Sequence, residues 1–459
     1  MKSKEADEIK KYIMSRFRER TKRSRHHDNN AKKYLPGGDT RTTTYFEPYP
    51  VYMHKGRACF IYDVDGNRYL DFVNNYTSLI HGHAHPQTVE AAQNQLERGS
   101  ILGAAAEIQY VHAKRLIQRM PFLETVRYCN SGTEATLFAI RAARAFSGKD
   151  GIIKMDGGYH GSHDIAEVNL NPDIKADSLP GINVDPGVAT SQLADVHVAP
   201  FNDLEALEAV LKTKAKEVAA IILEPMMGAG GMIPPLPNYL NGVRELADRY
   251  HVLLIFDEVL TFRLSVGGLQ QVESVRPDLT ALGKIIGGGF PVGAFGGRKD
   301  IMALFDPTRT NALMHGGTFN GCNITLTAGL ATLEAYGQAE AERLNSLGDR
   351  LKSGFSRVLK KHGINGCLSG IGSLNQVHLT PSPPLNAKEA AICRSRFSEI
   401  FRLLHLELMN RGIYSAPARS MFILSTPMME AEIDHAIEVF QETVELLKPY
   451  IARQSAQIC

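Results

Sequence analysis

The stretch VAAIILEPMMGAGGMIPPLPNYLNGVRELADRYHVLLIFDE, residues 218–258, decides the fold. Its ends, VAAIILEPM and VLLIFDE, are short apolar runs bounded by turn residues. Runs of that kind read as buried strands. Between them, LNGVRELADRY repeats its apolar residues with the period of a helix. Strands separated by helices predict a mainly parallel, doubly wound sheet.

The same alternation extends outward over about residues 86–335. VEAAQNQLERG and TEATLFAIRAARAFSG have helical periods, whereas TVRYCN, GIIKMDG and DVHVAPF read as strands. This region is expected to be the large domain, with ligands bound at the carboxyl ends of its strands. Residues 1–85 hold an N-terminal arm and a hairpin, RACFIYDVDGNRYLDF, turning at Asp65-Gly66. Residues 336–459 begin with a long helical pattern. They continue through a proline-rich loop, PSPPLNAKEA, and the strands NQVHLT and MFILST, to a closing helix. The expected architecture is an α/β fold: a large, mainly parallel-sheet domain plus a smaller α+β domain drawn from both chain ends.

The chain has 459 residues, 44% hydrophobic and 22% charged, with a formal net charge of +2. That balance allows a large core and implies no pull toward nucleic acid. No apolar run approaches the ~18 to 20 residues that span a bilayer, and no membrane association is expected. The N-terminus, MKSKEADEIKKYIMSRFRER, lacks the apolar core of a secretory signal and reads as a solvated arm or a strap over a neighbouring subunit. Six scattered cysteines, Cys459 on a loose tail among them, form no zinc spacing and fit a reducing cytoplasm. No metal site is expected.

Several residues carry possible chemistry, each beside a plainer reading. Asp257 ends an apolar strand, where it either pairs with an arginine or holds a protonated ring nitrogen. Lys284, in LTALGKIIGGGFPVGAFGG, is bracketed by apolar residues and glycines. It is either incidental to a glycine-rich loop or a desolvated amine able to attack an aldehyde. Ser131-Gly132-Thr133 opens a helix, as an ordinary N-cap or as an anion site. Tyr159, in GGYHG, is a core residue or stacks on a flat ring. Glu224 ends another strand, in a salt bridge or near a cofactor oxygen.

Taken in order, SGTEA, GGYHG, ILEPM, FDEV, the Gly283-Lys284 step and GGTFNGCN resemble the class III aminotransferases, and the resemblance runs from about residue 35 to residue 450. It implies the aspartate-aminotransferase-like fold (fold type I) and pyridoxal 5′-phosphate as cofactor. It also implies residue roles. Lys284 would hold the cofactor as a Schiff base and shuttle the proton. Asp257 would pair with the ring nitrogen. Ser131, Gly132 and Thr133 would hold the phosphate. Tyr159 and Val259 would flank the ring, with His160 beside Tyr159 and Glu224 near the ring hydroxyl. Thr318 would reach the phosphate of the neighbouring subunit in a homodimer with shared active sites. The partners would be a small-molecule amino donor and a keto acid acceptor.

The substrate is read from LPGGDTRTTTYFEPYP, residues 35–50, which looks like the opening segment of glutamate-1-semialdehyde aminomutases and of β-amino-acid aminotransferases. Arg41 is either a surface arginine or the grip on a substrate carboxylate. Two departures speak against the aminomutase. Met421 stands where that family has a glutamate, and DEVLTFRLSVGGL replaces DEVMTGFR. Both PGGDTR and DEVLTFRL resemble the β-amino-acid (β-phenylalanine) aminotransferases. Arg419 is read as a second, mobile clamp for glutamate or 2-oxoglutarate, and Tyr76 and Tyr45 as pocket-lining or core residues. The first reading is therefore an aminotransferase of aromatic β-amino acids. A glutamate-1-semialdehyde aminomutase and another amine or biosynthetic aminotransferase are its alternatives. A scaffold without catalysis would have no need of both Lys284 and Asp257.

Overall fold

The computed structural model describes residues 2–174, 183–417 and 419–456; Cys459 lies outside them. The chain opens with helices Lys2–Arg20 and Lys22–Ala31. The first packs on helices Ser398–Asn410 and Glu430–Ala456. Ala6, Ile13 and Phe17 are thereby buried in the same chain. The arm is not solvated as its charge suggested, because its apolar stripe finds a groove at the far end of its own sequence.

The strands β1 (Met53–Arg57), β2 (Phe60–Asp63) and β3 (Arg68–Asp71) form an antiparallel meander, with the expected Asp65-Gly66 turn between β2 and β3. The large sheet contains β4 (Thr125–Cys129), β5 (Gly151–Met155), β6 (Val196–Ala199), β7 (Val218–Leu223), β8 (Leu253–Asp257), β9 (Leu279–Gly283) and β10 (Gly293–Gly297). Its order is β4-β10-β9-β8-β7-β5-β6. The run β9-β8-β7-β5-β6 is parallel, and β10 is antiparallel to both its neighbours. Every residue of β5, β7 and β9 is buried, as in a sheet covered on both faces.

The reversed strand β10 was not anticipated, since GAFGG carries no strand pattern. Its glycines answer to space instead: a Cβ on Gly293 would stand 2.0 Å from the Ser131 carbonyl oxygen.

The smaller part adds β11 (Cys367–Ile371), β12 (Leu374–His378), β13 (Ile413–Tyr414) and β14 (Met421–Ile423). Strand β13 joins β3 in parallel, so both ends of the chain share one four-stranded sheet. Strands β11, β12 and β14 form a second sheet. The two are linked where the Ile423 amide donates to the Phe72 carbonyl at 2.8 Å. The proline-rich stretch is loop only at its start. From Ala387 it becomes a helix, Ala387–Arg396, because Asn386 caps it by accepting from the Glu389 amide at 3.0 Å.

Candidate active site

Strands β7, β8 and β9 run in parallel and present Glu224, Asp257 and Lys284 at their carboxyl ends. Asp257 is buried. Its Oδ2 accepts from Nδ1 of His160 at 2.9 Å, and its Oδ1 accepts from the Val259 amide at 3.1 Å. Burial disfavours the charged imidazole of His160, so the ring is neutral and donates through Nδ1. His160 therefore lies under Asp257, a more specific place than the neighbourhood of Tyr159 expected for it.

Lys284 is a non-glycine residue in the left-handed region, with φ 53°. Burial pushes its amine below the ordinary lysine range, against the pull of the Asp257 and Glu224 carboxylates. Glu224 is buried and accepts from the amides of Tyr159 and Gly228, each at 3.0 Å. Desolvation, and then the Asp257 charge, raise its carboxyl to about 7.

Ser131 caps the helix Gly132–Ser147, its Oγ accepting from the Glu134 amide at 3.2 Å. The first-turn amides of Gly132 and Thr133 have no partner within such a helix and face outward with the positive end of its dipole. Val259 packs against both flanks of this opening. A Cβ on Gly132 or Gly283 would come within 3.2 and 3.3 Å of its Cγ1. Tyr159 is 43% exposed and so is not a core residue. Thr318 is exposed on a turn held to the helix start, where Asn130 Nδ2 donates to Asn320 Oδ1 at 2.9 Å.

A second cleft of about 320 Å³ is lined by Arg41, Asp71, Asn75, Tyr76, His83 and Tyr414, among others. Arg41 donates to Asn75 Oδ1 at 2.9 Å. The Tyr76 hydroxyl donates to the Thr43 carbonyl, and the charges of both Arg41 and Arg419 act on that hydroxyl. Arg419 in turn stands within electrostatic reach of the Glu224 carboxylate, Tyr76 and Tyr159. Tyr45 is 44% exposed. Met421 is buried in an apolar cluster with Val73, Met226 and Ile423.

Two buried groups at the site had not been singled out. Glu258 accepts from the amides of Leu269 and Gln270 at 3.0 and 2.7 Å and from the Thr261 hydroxyl, so it ties down the loop that carries Val259. The paired acids of FDEV were its signal. Arg263 is wholly buried, donates to the Leu424 carbonyl, and its charge also depresses Lys284. Only its apolar flanks distinguish it in the sequence.

A match to the family Aminotransferase class-III spans residues 44–444. Glutamate-1-semialdehyde 2,1-aminomutase of Methanobrevibacter smithii is 39% identical over 418 residues, 90% of this chain and 96% of that protein. An omega-transaminase from Sphaerobacter thermophilus superposes with a TM-score of 0.88 at 41% identity, covering 92% of this chain and 97% of that one. A β-phenylalanine aminotransferase from Variovorax paradoxus superposes with 0.87 at 33% identity, covering 96% and 97%. The chain belongs to the class-III aminotransferases. It is a pyridoxal 5′-phosphate-dependent enzyme of fold type I, in an aminotransferase family that uses an amino donor and a keto acid. No helix among the described residues is long and apolar enough to cross a membrane.

Proposed function

We propose that this enzyme moves the amino group of a β-amino acid, of the aromatic 3-amino acid type, to 2-oxoglutarate or a similar keto acid. The observation that carries this reading is that Arg41 and Tyr76 line one cleft and that the charges of Arg41 and Arg419 both act on the Tyr76 hydroxyl. Two guanidiniums near one tyrosine offer two carboxylate grips. Arg41 takes the carboxylate of the donor. Arg419 takes the second carboxylate of the acceptor and withdraws when an aromatic side chain enters.

The residues at the strand ends suit the cofactor. When bound, pyridoxal phosphate supplies an electron sink for proton loss beside the amino nitrogen. Lys284 would anchor it and would remove and return that proton at Nζ; desolvation keeps the amine fit to act as a base. Asp257 holds the ring nitrogen, itself oriented by His160. Ser131, Gly132 and Thr133 hold the phosphate at the helix start. Tyr159 and Val259 take the two ring faces, and Glu224 the side of the ring hydroxyl. Thr318 reaches the phosphate of the partner subunit in a homodimer. Exposed Leu102, Tyr110, Met314 and Phe319 supply the apolar surface such a dimer would cover. Free cysteines at positions 59, 129, 322, 367 and 393 support a cytoplasmic setting.

A second reading is favoured by the curated relatives, glutamate-1-semialdehyde aminomutases 36 to 39% identical. One experiment separates the two. The cofactor-loaded enzyme is mixed with 3-amino-3-phenylpropanoate without an acceptor, and the cofactor absorption is followed. Conversion to the pyridoxamine form is expected. No change with this donor, together with acceptor-free isomerisation of glutamate-1-semialdehyde, would replace the first reading by the second.

A further inference from the structure

The carbonyls of Ala229, Gly230 and Gly231 follow one another on the loop after β7, and each meets a donor from the C-terminal part of the chain. Arg419 Nη1 donates to Ala229, Arg394 Nη1 to Gly230 at 3.2 Å, and Ser369 Oγ to Gly231 at 2.8 Å. Two guanidiniums thus share adjacent carbonyls of one short loop. A carbonyl can accept from a cation but cannot neutralise it.

The two arginines differ in their supports. Arg394 is carried by the helix Ala387–Arg396, which is pressed onto the loop: a Cβ on Gly231 would stand 2.8 Å from that of Ala390. Arg419 lies on the turn between β13 and β14. Among the described residues, the charged group that acts on Arg394 is the Arg419 guanidinium. Arg419 lies within electrostatic reach of Glu224, a residue of the reacting centre. The loop itself starts at Glu224, whose Oε2 holds the Gly228 amide. The arginine pair is therefore built into the wall of the active site.

We propose that Arg394 is a specificity-determining positioning residue whose fixed positive charge drives Arg419 off the Ala229 carbonyl and toward the distal carboxylate of a dicarboxylic keto acid. This rests on the reading of Arg419 as the clamp for that carboxylate. A dianionic acceptor relieves the repulsion between the two guanidiniums, because its carboxylate lies in the field of both. A monocarboxylic acceptor brings no charge to the pair and gains nothing from it. Arg394 thus makes the resting site receptive to 2-oxoglutarate without touching the reacting atoms.

The test compares KM for 2-oxoglutarate with KM for pyruvate in three variants of the holoenzyme. R394Q keeps a donor for the Gly230 carbonyl and loses the charge, so the fold is retained. Its ratio of KM for 2-oxoglutarate to KM for pyruvate is expected to rise about tenfold. R394K keeps the charge and is expected to hold the ratio within about twofold. An unchanged ratio in R394Q, or an equal rise in R394Q and R394K, overturns the proposal. R419A separates the two levels of the argument. If R419A leaves the ratio unchanged, the clamp reading itself fails. If R419A raises it and R394Q does not, only the role of Arg394 fails.

Discussion

His160 Nδ1 lies 2.9 Å from Asp257 Oδ2, joining residues 97 apart in the chain inside a fully buried pair. The neutral imidazole can offer only one proton, and the geometry directs it at the carboxylate. That bond, with the Val259 amide on the other oxygen, fixes the orientation of the Asp257 carboxylate. His160→Leu removes that donor without adding a charge. The half-reaction rate is expected to fall by about 10- to 100-fold, the worth of one hydrogen bond to a charged group. His160→Asn, which keeps a donor, should recover part of it. An undiminished rate in His160→Leu would show that Asp257 needs no such support.

Lys284→Ala removes the amine that anchors the cofactor and moves the proton. Turnover is expected to drop by at least about 10⁴-fold, the upper end of what a positioned acid–base group contributes. In the unmodified enzyme, borohydride should fix the cofactor to the peptide carrying Lys284, read by mass spectrometry. Fixation at another lysine would remove Lys284 from its role.

Arg41→Ala should raise KM for 3-amino-3-phenylpropanoate by about 10- to 100-fold, as expected for one charge-assisted grip. The same change should leave KM for 2-oxoglutarate comparatively unmoved. A parallel rise for both substrates would mean that Arg41 supports the cleft rather than the donor.

Glu258 titrates in a way that ties stability to pH. Burial raises its carboxyl from 4.5 to about 7, against the donors Thr261, Gln270 and Leu269. Between those two values the folded chain keeps a proton that the unfolded chain has released. Its contribution to stability is therefore lost as pH rises from about 4.5 to about 7. Glu258→Gln cannot titrate, so its melting temperature should decline less over that window, by a difference of about 2 kcal/mol in stability. Identical profiles for both proteins would place the titration elsewhere.

Gly293→Ala puts a methyl group 2.0 Å from the Ser131 carbonyl, which belongs to backbone and cannot rotate away. Strand β10 or the helix start must shift. A loss of about 3 kcal/mol in stability is expected, with weaker cofactor binding in proportion to the movement of Ser131. Chemical denaturation of apo and holo forms reads both. Unchanged stability would mean that the two strands have slack between them.

Much of the large domain was legible because its signals are local. Strands β5, β7 and β8 are bounded apolar runs whose lengths match a buried sheet, and helix Gly132–Ser147 carries its own cap and its own period. Strand β10 was not legible, since glycines chosen for close approach leave no pattern of side chains. Arg263 and Arg394 look like surface arginines in the sequence, because what encloses or faces them comes from distant segments.

The alternation of strand and helix in the large domain, and the arrival of Glu224, Asp257 and Lys284 at the ends of apolar runs, were determined by the sequence alone. Hydrophobic period and strand length are properties of a few neighbouring residues, and a parallel sheet puts successive strand ends on one edge. The tertiary structure alone decided that His160 would sit under Asp257, that the N-terminal helix would pack on the C-terminal ones, and that the charges of both Arg41 and Arg419 would act on Tyr76. The last two join segments from opposite ends of the chain. They exist only once the smaller domain closes its sheet through the pairing of β3 with β13, a long-range event that no local pattern encodes.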